Sequence, residues 1–273
     1  MNKPIGPPTS SGFVLNVNPS KSTNQDYGLA RHPLSEDITP LPPKFDALTF
    51  KQRQSNQLTY GACVGFGITD AITYQLGLVD ERWFDEPLSP MFVWMGSKEV
   101  DQWKQPSTLA GGDGTSIKCG LDITRKFGNL YDRFAPLGGI TTYAGQQMYA
   151  DASWLKITSY YNLKNNVESI CRWLSTNKQV IIGINVHQPF FEAKAKVLTA
   201  REAMGNSLGG HCCRIIAYSD YEPANPMKTV FRIGNSWGNS WGFNGNCWVD
   251  ATWLANVCFE SYGINVPPIS FFG

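Results

Sequence analysis

A thiol, an imidazole and two carboxamides recur along this chain in an order that suits nucleophilic acyl transfer. Gln57 stands six residues before Cys63, His211 follows the pair Gly209-Gly210, and Asn235 opens the run Asn235-Ser236-Trp237-Gly238. Each has a task in such a centre. A cysteine thiolate attacks a carbonyl carbon and carries the acyl group. An imidazole takes and returns the proton, and a third polar group, here an asparagine amide oxygen, fixes its tautomer. The tetrahedral oxyanion needs donors, which the Cys63 backbone N–H and the Gln57 side-chain amide can supply. Singly the signals are weak. The chain has seven cysteines, a His after two glycines also suits the entry to a strand, and Asn-Ser-Trp-Gly also suits a turn. The ordered set, spread over about 180 residues, carries the reading.

These groups need elements to hold them. From Cys63 the apolar residues Val64, Ile68, Ala71, Ile72 and Leu76 fall near helical spacing, and Gly77 is a stop. Cys63 then sits at a helix N-terminus, where the helix dipole favours the thiolate. Ser89-Pro90 opens a second helix running to Glu99, Thr115 or Ser116 caps a third that ends at Phe127 before Gly128, and Val167 to Thr176 reads as a fourth. The second half changes to β-branched runs at 180–186, 212–220, 229–236 and 246–250. Helices first and strands later predict an α+β protein with two segregated lobes. The division expected is a helical lobe over about 44–150 and a β-rich lobe over about 151–262, with a C-terminal extension; the family resemblance given below implies that the β-rich lobe is barrel-like and that the active-site cleft lies between the two.

Residues 1–43 differ in composition. They are rich in Pro, Ser, Thr and Asn and end in Thr39-Pro40-Leu41-Pro42-Pro43, an extended arm of polyproline character. Within it Phe13, Val14, Leu15 and Val17 form one apolar patch that alternates as a strand would. Such a leader either stays solvated or docks in the cleft and blocks it.

Composition narrows the function class. The chain has 273 residues with a net charge of +1, and no basic stripe or acidic tail, which argues against nucleic acid or an anionic membrane as partner. The apolar run Phe13-Val14-Leu15 is too short, and Pro4, Pro7 and Pro8 too early, for a signal peptide. The expected location is cytoplasmic, or exported without a recognisable signal. An odd number of cysteines, none in CxxC or metal-ligand spacing, predicts mostly buried thiols and no metal.

Together the motifs resemble the papain-like cysteine peptidases. That family has Gln six residues before its nucleophile and Gly-x-Cys before a small residue and Phe, as in Gly61-Ala62-Cys63-Val64-Gly65-Phe66. It has a Gly-His segment running into a strand, and Asn-Ser-Trp-Gly-x-x-Trp-Gly-x-x-Gly, which residues 235–245 match at every fixed position. Leu41 to Asp46 looks like the opening of its mature enzymes, so the likeness covers about residues 41–262. It implies a thiol peptidase without cofactor, acting on peptide or protein, with Cys63, His211, Asn235 and Gln57 as catalytic groups. It also implies that Trp237 shields the His–Asn bond, that Gly111 and Gly112 meet the substrate backbone, and that the segment Cys258 to Tyr262 floors a side-chain pocket. Departures are Tyr60 where secreted members have a disulfide Cys, Val64 for the usual Trp, Cys212 after the His and Ala217 for Gly. The gap of 24 residues from His211 to Asn235 exceeds that of papain itself and predicts a longer hairpin near 221–228. These traits look more like bacterial members and leave the reaction intact. Acyl transfer to an amine, or a non-catalytic binding module on the same scaffold, stays open. His187 is expected to be structural.

Overall fold

The computed structural model describes residues 13–15, 17–21, 28, 32, 34, 37–47, 54–99, 114–138, 146–194 and 196–269. Helices α1 (Cys63–Gly77), α2 (Pro90–Glu99), α3 (Ile117–Lys126) and α4 (Gln146–Ala152) come first, followed by α5 (Val167–Leu174), α6 (Gln188–Phe191) and α7 (Ala251–Val257) among strands. The strands are β1 (Phe45–Asp46), β2 (Ser159–Asn162), β3 (Val180–Val186), β4 (Val197–Leu198), β5 (Gly209–Ser219), β6 (Val230–Gly234), β7 (Asn246–Asp250) and β8 (Cys258–Asn265).

Helix α1 is apolar nearly all round, the pattern of a helix with neighbours on every side, and all but one of its residues are buried. Gly65 lets it lie against α2, since a Cβ there would stand 2.0 Å from the Pro90 carbonyl oxygen. The caps follow the expected chemistry. Ser89 Oγ accepts the Phe92 N–H at 3.0 Å at the start of α2, and Ser116 Oγ accepts the Cys119 N–H at the start of α3.

The α+β architecture is as expected, with one correction. The strands run in the order β2-β8-β3-β5-β6-β7-β4, with β1 pairing β5 off this path. Among the described residues this is an open sheet and not a closed barrel, because β2 and β4 at its ends do not pair with each other. β2 has four residues paired with β8, and β4 has two paired in parallel with β7. The expected strands at 180–186 and 246–250 keep their bounds, the His strand starts earlier at Gly209, and the 229–236 run contracts to β6. Helices α4, α6 and α7 and strands β1, β2, β4 and β8 were not read from the sequence. β8 was hidden by Glu260, Ser261 and Gly263, which break the apolar alternation, although the strand is buried along most of its length. α7 is a seven-residue helix, too short to show a period, but is started firmly by Asp250, whose Oδ1 accepts the Trp253 N–H at 2.7 Å.

The sheet divides two cores by the period of its strands. Val180, Ile182, Ile184 and Val186 of β3 join Trp173, Trp241 and Trp253 on one face, while Ile181 faces Val64, Ile68, Ile72 and Phe92 on the other. On β5, Cys213 and Ile215 join the first core and Cys212 the second. Leu15 belongs to the first core and Val17 to the second, so this stretch touches both. No helix among the described residues is long and apolar enough to cross a membrane.

The α1–α2 contact makes a direct prediction. Gly65→Ala should lower the unfolding free energy by about 1–3 kcal/mol, the usual penalty for overpacking against an unyielding backbone. Urea denaturation measures it, and an unchanged midpoint would contradict this packing.

Candidate active site

Two lobes supply one cluster. Cys63, the first residue of α1, is fully buried in the helical core. β5 carries His211, and Asn235 follows β6. Asn235 is held from several sides. Its N–H donates to the Gly245 carbonyl at 3.1 Å, and its own Oδ1 accepts the Ser236 N–H at 2.8 Å. That same Oδ1 lies 2.7 Å from His211 Nε2. An amide oxygen only accepts, so the bond assigns the proton to Nε2 and leaves a lone pair on Nδ1. Nδ1 is buried and has no hydrogen-bond partner among the described residues.

Trp237 covers this pair. Its ring stacks on His211 with centroids 4.5 Å apart, and Phe190, Phe191 and Trp241 pack around it. Water exclusion of this kind strengthens the His–Asn bond. It also disfavours the imidazolium. Burial lowers the His211 pKa to about 4, against the opposing pull of the Asn235 bond.

Gln57 is aimed by Ser236. Its N–H donates to the Ser236 carbonyl at 2.8 Å, and its Oε1 accepts the Ser236 hydroxyl at 2.7 Å. The Nε2 group is thereby turned the other way, donating to the Tyr60 carbonyl at 2.9 Å and to the Val14 carbonyl at 3.4 Å. The structure thus gathers Gln57, His211, Asn235 and Trp237, with Cys63 at the neighbouring helix start. Ser236 was missed as a positioning group, although it was in plain view within the Asn-Ser-Trp-Gly run. Gly111 and Gly112 lie outside the described residues. His187 is buried and precedes α6, its carbonyl accepting the Phe190 N–H at 3.0 Å, consistent with a structural place.

Residues 13–15 and 17–21 lie across the cluster. Phe13 stacks on Trp237 at 4.3 Å. The Val17 N–H donates to the Gly210 carbonyl at 3.0 Å and the Asn18 N–H to the Thr115 carbonyl at 3.1 Å, one contact to each lobe. Gly210 is required for this approach, since a Cβ there would lie 2.0 Å from the Val17 carbonyl oxygen. Farther along, the Ser20 N–H donates to Glu260 Oε2 at 3.2 Å, and Ser20 Oγ accepts the Lys118 N–H at 3.1 Å. The strand-like alternation expected of the patch is not kept. Val14, Leu15 and Val17 are all buried, because the segment lies between two surfaces and not on one.

Glu260 is the acidic member of the expected pocket floor. Burial raises its pKa to about 7, opposed by its bonds to Ser20, Tyr262 and the Ile117 N–H. The neighbouring thiols of Cys212, Cys213, Cys247 and Cys258 are also held protonated by burial. All seven cysteines are free.

The His211 environment predicts a pH dependence. A histidine whose pKa falls from 6.5 to about 4 on folding binds fewer protons folded than unfolded between those values. Its contribution to stability is therefore complete above pH 6.5 and is lost as pH falls toward 4. Imidazole NMR should show His211 neutral at pH 5.5, and titration near 6.5 would contradict the buried state.

Comparison with known proteins agrees with this geometry. Residues 134–261 match the family model described as papain family cysteine protease, a span that holds His211 and Asn235 but not Cys63. A gut-specific cysteine proteinase of Caenorhabditis elegans is 24% identical over 208 residues, covering 70% of this chain and 61% of that protein. The chain spans about 61% of the length of the curated relatives it matches. Xylellain, a cysteine protease from Xylella fastidiosa, has the same fold with a TM-score of 0.76 at 20% identity, covering 93% of this chain and 96% of that one. Digestive procathepsin L 3 of Tenebrio molitor superposes with a TM-score of 0.64 at 17% identity, over 87% of this chain and 75% of that one. The papain-like fold implied by the three sequence motifs is borne out, and residues 134–261 match that family's model.

Proposed function

We propose that this chain, papain-like in fold and matched to that family across its second half, is a cysteine peptidase that cleaves peptide bonds through a thiol acyl-enzyme. The observation that carries the reading is the buried 2.7 Å bond from His211 to Asn235, which leaves Nδ1 as a base. In this mechanism His211 Nδ1 takes the Cys63 thiol proton, and the thiolate attacks the carbonyl carbon. The oxyanion is met by the Cys63 N–H and Gln57 Nε2. The His211 proton goes to the leaving amine as the C–N bond breaks, leaving the thioester. Water then attacks, giving its proton to His211, and the collapse returns the thiol. Asn235 keeps the ring in the needed tautomer throughout.

The test is covalent labelling with a thiol-directed epoxide, followed by peptide mapping. Cys63 should be the modified residue, and Cys63→Ala should abolish labelling and peptide turnover. Turnover that survives Cys63→Ala would sink the reading. Asn235→Ala should lower kcat about 10–100-fold with little change in KM, because the group orients the base without binding substrate.

The leader completes the proposal. Residues 13–21 act as an internal block, with the Val14 carbonyl on the Gln57 donor and Phe13 over Trp237. Proforms among the matched structures, such as digestive procathepsin L 3, suit this reading. Deleting residues 1–21 should raise the labelling rate of Cys63, and an unchanged rate would argue against the block.

A further inference from the structure

We infer that Asp70 and Arg214 form a positioning pair that sets the register of the Cys63 helix against the His211 strand. The inference rests on the proposed catalytic reading. Asp70 lies two turns along α1 from Cys63, and Arg214 lies three residues along β5 from His211. Arg214 Nη2 is 2.9 Å from Asp70 Oδ2, and of the ion pairs between described residues this one is the most buried, with side-chain exposures of 5% and 15%. Arg214 is held from behind, its Nη1 donating to Gln179 Oε1 at 2.8 Å.

The same carboxylate reaches a third segment. Ser55 Oγ lies 2.8 Å from both Asp70 oxygens, and the Ser55 carbonyl accepts the Gly238 N–H at 2.9 Å. Ser55 is two residues before Gln57, and Gly238 follows Trp237. One side chain therefore ties together the segments that carry the nucleophile, the base, the oxyanion donor and the ring over the base.

Apolar packing alone does not fix this register. α1 meets β5 through a small-residue contact, Gly67 against Cys212, whose sulfur would be 2.6 Å from a Cβ on Gly67. Dispersion and hydrophobic contact are non-directional and resist sliding or rolling weakly. A buried ion pair adds little net stability after desolvation, but it accepts one geometry, and registry is its best-attested use. Misplacement of a reacting group by about 1 Å can lower the rate on the order of 100-fold. Asp70 also lines a cavity with Ser55, Asn56, Thr69 and Thr73, so water can reach the carboxylate when its partner is altered.

The test uses the full chain, with peptide kinetics and the pH profile of Cys63 alkylation by iodoacetamide. Asp70→Asn should lower kcat by about tenfold or more, with KM within about twofold, and shift the acidic limb of the alkylation profile. Arg214→Lys should recover part of the loss seen in Arg214→Gln. Combining Asp70→Asn with Arg214→Gln should cost no more in kcat than either alone. Should Asp70→Asn fail to fold, Ser55→Ala keeps the ion pair and should move kcat and the profile in the same direction by a smaller factor. Wild-type kcat and profile in Asp70→Asn, or in Ser55→Ala where only that variant folds, would overturn the positioning role. A wild-type chain that neither turns over peptide nor alkylates at Cys63 would instead overturn the catalytic reading beneath it.

Discussion

The molecule depends on how α1 lies against β5. A thiol and an imidazole on separate lobes make a catalytic pair only when the faces that carry them are fixed to within a fraction of an ångström. Here small residues bring the two elements together. Gly65 and Gly67 remove the side chains that would hold α1 away from α2 and β5. That closeness leaves Cys63 buried in the helical core and Cys212 packed against the helix, with His211 next to it on the strand.

Close packing has an electrostatic consequence. A site this dry holds imidazole neutral and pushes thiols toward their protonated forms. Burial lowers the His211 pKa to about 4, despite the Asn235 bond. With Phe13 on Trp237 and the Val14 carbonyl on Gln57, the segment 13–21 contributes to that dryness. Water returned to this region would favour the charged forms of these groups.

Around this centre the polar contacts divide their work. Ser236 fixes Gln57 through two hydrogen bonds, and Asn235 fixes His211. Both residues sit in the turn after β6, so one loop orients the Gln57 amide and the His211 ring together. Trp237, next in the same loop, closes over the ring. Three consecutive side chains thus serve three parts of one centre, which accounts for the density of the motif.

The sequence by itself determined the chemical groups and the local elements beneath them. The Gln57, Cys63, His211 and Asn235 set stood out by order and spacing, and α1 was legible from its apolar spacing and Gly77. The β3 strand was legible from a run of β-branched residues that leaves only Asn185 exposed. Local periodicity encodes such features because it reports which faces avoid water. It does not report what covers each face. The open edge of the sheet, β8 behind its polar residues, and the docking of residues 13–21 between two surfaces were decided by tertiary contacts. So was the pairing of Asp70 with Arg214, 144 positions apart. Two charged residues read as solvated until the fold brings them together out of water, and only the packed chain determines which partner each one meets.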